Sequence, residues 1–216
     1  SSTELRSEER KLSVGLIGDA SWLDKYRRQA RFVNGMEIEG IATPDTTMLT
    51  PELSELPVVT SDISELLQKV DAVVIASDPS LHEKQIRQAL EAGKHVLCES
   101  PFALTPEAGD CLISYAQEHD LVLQDAIKTA YSTAFHRLVL LVKGGKIGKV
   151  VSVDATCTSL RYNKTDDSIT GANWGGMGEW GPIALPPIFQ ILGTDYTSSQ
   201  IITRGEKGFV HEGEFT

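Results

Sequence analysis

The sequence predicts an α/β fold: a doubly wound parallel sheet first, then an incomplete α+β part with an open, mostly antiparallel sheet. Two observations carry this. Short apolar runs at residues 12–17, 71–76 and 95–98 alternate with segments of helical period up to residue 124, the pattern of βαβ units. After about residue 130 the pattern changes, and residues 149–160 alternate apolar and polar side chains, as a strand with one covered face does.

The elements follow in order. Residues 12–17 form a first strand ending in Gly18, and Trp22, Tyr26, Ala30 and Val33 recur at helical spacing until Gly35. Residues 36–43 form a second strand, with Pro44-Asp45 as its turn. Asp62 and Glu65 mark a helix start before Leu66 and Leu67. Residues 71–76 are nearly all apolar, as suits a central parallel strand. Pro79 opens a helix that Gly93 closes, residues 95–98 form a strand, and Thr105-Pro106-Glu107 starts a helix ending near Glu118. Residues 121–124 are a strand again. Residues 131–142 form a helix before Gly144-Gly145, and one or two strand-like pieces lie in residues 200–216. The domain boundary is expected at residues 124–130, giving domains 1–126 and 127–216.

The chain has 216 residues, a formal net charge of −10 and a pI near 5.0. It shows no basic patch of the kind that binds nucleic acid. Lys25-Tyr26-Arg27-Arg28 is the nearest thing to a cluster and reads as a solvated helix face. Cys98, Cys111 and Cys157 lack metal-type spacing and read as packing thiols of a reducing, cytoplasmic protein. No apolar run approaches the ~20 residues that span a bilayer, no signal peptide opens the chain, and no His/Asp/Glu set suggests a metal.

The first strand-to-helix turn stands where a dinucleotide fingerprint belongs. That motif needs three glycines: for the tight turn, for approach to the diphosphate, and for helix–strand packing. Here only Gly18 is present; Ala20 and Leu23 hold the other two positions, and Asp19 adds a negative charge. The turn either binds a cofactor weakly or is an ordinary turn without a ligand. At the end of the second strand Thr43 holds the place of the ribose-binding acid, with Asp45 two residues on. Either reaches a ribose hydroxyl, or Asp45 is a plain turn residue. No Arg follows to take a 2′-phosphate, which favours NAD over NADP.

Residues 89–101, Ala-Leu-Glu-Ala-Gly-Lys-His-Val-Leu-Cys-Glu-Ser-Pro, resemble the A-L-x-A-G-K-H-V-x-x-E-K-P signature of the Gfo/Idh/MocA oxidoreductases. Residues 71–82, from Asp71 through Ser77, Asp78 and Pro79 to His82, resemble that family's D-x-V-x-I-A-T-P-x-x-x-H. Residues 144–150 resemble its entry into the second domain, and Gly175-Gly176 with Glu179, Gly181 and Ile183 resemble its glycine pair followed by D-x-G-x-H. The resemblance covers nearly the whole chain. It implies a Rossmann domain, an α/β second domain, and hydride transfer between NAD or NADP and a sugar, polyol or related molecule, without a metal. It implies a cofactor crevice lined by Gly18, Asp19, Ala20, Thr43, Ser77, Asp78, His82, Glu99 and Ser100.

The departures are as informative. Ser100 stands at the family's catalytic lysine and Ile183 at its proton-transferring histidine. Lys128 either replaces the missing cation or is a surface lysine. Glu99 either orients a substrate or caps backbone, and His82 is structural or catalytic. His95, His119 and His136 take structural or solvent roles. Weak cofactor binding and an impaired mechanism are therefore expected, the alternative being a catalytically inactive ligand-binding regulator or assembly subunit. Family members are usually longer, so the second sheet is expected to pair subunits into a homo-oligomer through residues 149–216, unless the chain is truncated. No nucleic-acid or membrane partner is expected.

Overall fold

Parallel strands bury both faces, so their side chains must be apolar on both sides and helices must cover each face. The computed structural model, which describes residues 11–126, 133–157 and 176–200, meets that condition in six strands. These are β1 (Leu12–Gly18), β2 (Met36–Ala42), β3 (Val58–Thr60), β4 (Ala72–Ala76), β5 (His95–Cys98) and β6 (Leu123–Asp125). Their order is β3-β2-β1-β4-β5-β6, and β1 pairs in parallel with both β2 and β4. The chain thus reverses its direction of travel across the sheet between β1 and β4, the topological switch point where open α/β sheets receive ligands.

The helices are α1 (Ala20–Ala30), α2 (Pro51–Ser54), α3 (Ile63–Leu67), α4 (Pro79–Glu91) and α5 (Pro106–Glu118). Two cores result. Leu23 of α1 and Leu53 of α2 pack with Val14, Leu16, Ile41 and Val74. Leu66 of α3, Ile86 and Leu90 of α4, and Leu112 of α5 pack with Ile17, Val73 and Ile75. Helices α1 and α2 thus share one core, and α3 to α5 the other. The close fit of α3 depends on absent side chains: a Cβ at Gly15 would lie 2.9 Å from Leu66, and one at Gly40 2.6 Å from both the Cβ and the carbonyl oxygen of Val58.

One local device recurs after each of the first four strands. Asp19, Asp45, Asp62 and Asp78 each accept a hydrogen bond from the backbone N–H two residues on, of Ser21 (2.8 Å), Thr47 (2.9 Å), Ser64 (2.8 Å) and Ser80 (2.8 Å). Each opens a helix or 3-10 turn, satisfying a donor that the first turn leaves over. Glu65, in the first turn of α3, accepts from the Thr60 hydroxyl at 2.6 Å.

Three expectations need correction. Strand β3 and helix α2 were not expected; they have three and four residues, too few for a periodicity to register. The last strand runs over Leu123–Asp125 rather than residues 121–124. Residues 149–157 belong to neither helix nor strand, with Val151 90% exposed, although the alternation remains in the half-buried Val153, Ala155 and Cys157. An alternating stretch becomes a strand only when a neighbour supplies ladder partners. The rest of that strand reading, and the strand-like pieces at 201–216, lie outside the described residues.

The chain divides between Gln124 and Asp125 into two compact units. The described part of the second contains the helices Thr133–Lys143 and Gly176–Leu192; the latter holds Pro182, Pro186 and Pro187 and was not foreseen. Among the described residues no helix is long and apolar enough to cross a membrane.

Replacing Gly40 by Ala should destabilise the first unit by about 1–3 kcal/mol, because the added methyl meets backbone as well as side chain. Urea unfolding followed by circular dichroism measures this, and an unchanged midpoint would show that β3 gives way freely.

Candidate functional site

The carboxyl ends of β1, β2, β4 and β5 bring together eight of the residues singled out from the sequence, and Ala20 opens the helix behind them. At the switch point Gly18 adopts φ +132°, and a Cβ there would lie 2.1 Å from the Ala76 carbonyl oxygen. Only glycine fits both the dihedral and the space. The Asp19 N–H donates to the same oxygen at 3.0 Å, tying the end of β1 to the end of β4.

This turn leads into the N-terminus of α1, which favours anions. The protein already puts one there: the Asp19 carboxylate accepts from the Ser21 N–H and, at 2.5 Å, from the Ser21 hydroxyl. A diphosphate would have to displace or share that position, beside the methyl of Ala20.

At the end of β2, Thr43 is buried and its N–H donates to the Thr60 carbonyl at 3.0 Å. Asp45 is occupied by its own turn. It accepts from the Thr47 hydroxyl at 2.6 Å and from the Thr47 N–H, and these bonds hold its carboxyl below the usual aspartate range. The turn reading of Asp45 is the one the geometry displays.

At the end of β4, the buried Ser77 hydroxyl donates to Gln85 Oε1. Asp78 caps α4, with Ser80 Oγ at 2.5 Å as well as the Ser80 N–H. His82 is 1% exposed and held from both sides: Nε2 lies 2.9 Å from the Ser77 carbonyl oxygen and Nδ1 2.7 Å from that of Pro101. A neutral imidazole has one N–H and can donate to only one of these at a time. His82 is thus a buried brace between the segment after β4 and the segment after β5.

At the end of β5, the Glu99 N–H donates to the Ile75 carbonyl at 2.9 Å. Its carboxylate oxygen Oε1 accepts from Tyr26 Oη at 2.9 Å and pairs with Lys25 Nζ. This corrects the reading of Lys25 and Tyr26 as solvated: both turn from α1 toward β5. Arg27 and Arg28 do pair locally, with Asp24 at 2.9 and 3.1 Å. One signal could have found the contact: a carboxylate at the end of a buried strand needs a partner, and α1 carries cations. Next to Glu99, the buried Ser100 Oγ finds no hydrogen-bond partner among the described residues. The Ser100–Pro101 peptide is cis.

Lys128 lies outside the described residues. Ile183 sits in the helix Gly176–Leu192 of the second unit. His95 Nδ1 lies 3.0 Å from the Val122 amide and His119 Nδ1 2.8 Å from the Tyr115 carbonyl oxygen, both backbone contacts. Cys98, Cys111 and Cys157 are free thiols. Among the described residues no three His, Cys, Asp or Glu side chains are grouped to hold a metal.

A nucleotide cofactor fits part of this edge. The tight turn at Gly18 that leads into α1, and the Ser100 hydroxyl with no partner among the described residues, suit a ligand lying across the switch point, while Asp19 and Ala20 oppose its diphosphate. Over residues 12–126 the chain matches the Gfo/Idh/MocA family model, an oxidoreductase family with an NAD-binding Rossmann fold. An uncharacterized oxidoreductase, YrbE, of Bacillus subtilis (strain 168) is 26% identical over 169 residues, which is 74% of this chain and 50% of that protein. The scyllo-inositol 2-dehydrogenase (NADP(+)) IolU of the same strain is 40% identical over 80 residues, 36% of this chain and 24% of that protein. Among solved structures, KijD10, a 3-ketoreductase from Actinomadura kijaniata in complex with NADP, matches with a TM-score of 0.56 at 26% identity, covering 65% of this chain and 46% of that one. The chain thus spans half the length of these relatives or less.

Replacing Thr47 by Val should raise the Asp45 titration midpoint toward the ordinary aspartate value, as followed by carbon-detected NMR. Lowering the midpoint favours the charged form in the folded state. That contribution to stability is present above the unfolded value and fades as pH falls through the lowered one. An unmoved midpoint in the variant would assign the lowering to another cause.

Proposed function

The chain belongs to the Gfo/Idh/MocA oxidoreductase family, and from that membership we propose that it binds NAD or NADP at the switch-point crevice and acts on a sugar, polyol or related small molecule. The observation that carries this reading is the retained carboxyl edge, with Gly18 against Ala76 and, after β5, a Ser100 hydroxyl that has no partner among the described residues. The polyol class is suggested by the inositol-dehydrogenase relative.

The bound nicotinamide would supply hydride exchange. The work of the chain itself is to position and to exclude water. Gly18 makes the tight turn from β1 into α1, and Thr43 closes the β2 end. His82 and Ser77 hold the β4 and β5 segments in fixed relation. Ser100 can donate or accept one hydrogen bond at a reacting oxygen but carries no charge to polarise it, and Ile183 cannot move a proton. Lys128 remains the candidate replacement cation in this reading. Self-association through residues 149–216 belongs to the same proposal.

A second reading, a ligand-binding subunit without turnover, is favoured by one specific feature: the Asp19 carboxylate already occupies the helix terminus that a diphosphate needs.

Two measurements test these readings. Ala20→Gly should tighten NADH or NADPH binding by on the order of 1 kcal/mol in a calorimetric titration, because close backbone approach is then possible; equal affinities would remove the loop as the limiting feature. Turnover of inositols and simple sugars should fall ~10²–10⁴-fold below typical rates, the worth of general acid–base help. Robust NAD(P)-dependent oxidation of any of them would overturn that expectation, and loss of the activity in Lys128→Ala would then locate the compensating cation.

A further inference from the structure

We propose that Lys25 is a charge-compensating positioning residue: by pairing with Glu99 it sets the preference of the crevice between the oxidised and the reduced nicotinamide. The inference rests on the cofactor reading above. In a doubly wound sheet a dinucleotide lies across the switch point, with the glycine turn and the second strand taking the diphosphate and the adenosine ribose. The other half, β4 to β6, is left for the nicotinamide end. Glu99 stands in that half, at the end of β5, and its N–H donates to the Ile75 carbonyl.

The oxidised ring carries one positive charge and the reduced ring none. A bare carboxylate nearby therefore favours the oxidised form. Here the carboxylate is not bare. Lys25 Nζ and Tyr26 Oη both reach Glu99 Oε1 from α1, and the Glu99 side chain is only 24% exposed. Partial burial keeps solvent from screening the carboxylate fully, so the Lys25 charge decides how much of its field reaches the ring. The neighbouring Ser100 is neutral and adds none.

The two oxidation states share the adenosine, both riboses and the diphosphate. Opposition from Asp19 and Ala20 is therefore common to both and cancels in the ratio of their affinities. The ratio isolates the charge at the β5 end, and a general loosening of the fold would leave it unchanged.

The test is equilibrium titration of the full chain with NAD+ and NADH, or with NADP+ and NADPH if the unmodified protein prefers that couple. Lys25→Met should lower the oxidised-to-reduced Kd ratio on the order of fivefold, from a charge interaction across several ångströms in a partly wet site. Lys25→Arg should keep the original ratio, and adding Glu99→Gln to Lys25→Met should restore it. Glu99→Gln alone leaves the ammonium uncompensated and should move the ratio the other way, an outcome that stays readable if Lys25→Met does not fold. A ratio unchanged in both Lys25→Met and Glu99→Gln, with cofactor still bound, overturns the inference alone. An unmodified protein that binds none of the four nucleotides overturns the cofactor reading and this inference with it, and that result is visible before any variant is made.

Discussion

The approach of Gly18 to the Ala76 carbonyl is the constraint on which the carboxyl edge depends. It brings the end of β1 against the end of β4, and the Asp19 N–H takes up the same oxygen. From there the geometry propagates. Asp19 can open α1 only because Gly18 turns the chain sharply, and α1 so placed brings Lys25 and Tyr26 to Glu99. On the other side, the segment after β4 gives Ser77 and His82 their positions, and His82 reaches on to Pro101. The ends of β1, β4 and β5 are therefore one linked structure rather than independent loops.

That linkage mixes two kinds of interaction. The sheet and its helices are held by apolar burial, with Leu16, Ile41, Ile75, Leu66, Ile86 and Leu112 all at 0% exposure. The edge above is held by hydrogen bonds and one half-buried ion pair. Burial is non-directional and tolerates small displacements. Hydrogen bonds to backbone carbonyls fix both distance and angle. A fold that fixes its core by the first and its crest by the second can change the side chains at the crest, as at Ser100, without disturbing the sheet.

Most of the first unit was legible in the sequence because its signals are local. Parallel strands buried on both faces leave uninterrupted apolar runs, and Gly35 and Gly93 take positive φ where the helix patterns end. Strand β3 was not legible, since Val58–Thr60 is held by its pairing with β2 rather than by any pattern of its own. The residues that stand at the carboxyl edge were legible in the sequence, and their partners less so. Gly18, Asp78, His82, Glu99 and Ser100 were recognised from their motifs. That Lys25 and Tyr26 serve Glu99 depends on the packing of a helix over a strand more than seventy positions away. Residues 149–157 show the reverse case, where period 2 is present but the described residues contain no ladder partner.

The aspartates that follow β1 to β4 have a consequence beyond helix initiation. All four follow the carboxyl ends of their strands, so one rim of the sheet carries a row of fixed negative charge, on a chain whose formal net charge is −10. An anionic molecule approaching that rim climbs a repulsive potential before it touches anything. Its encounter rate rises with ionic strength as the field is screened, the reverse of electrostatic steering, whereas an uncharged polyol is indifferent to the salt. Seen from solution, the same short caps that start the helices also set the sign of the field over this rim.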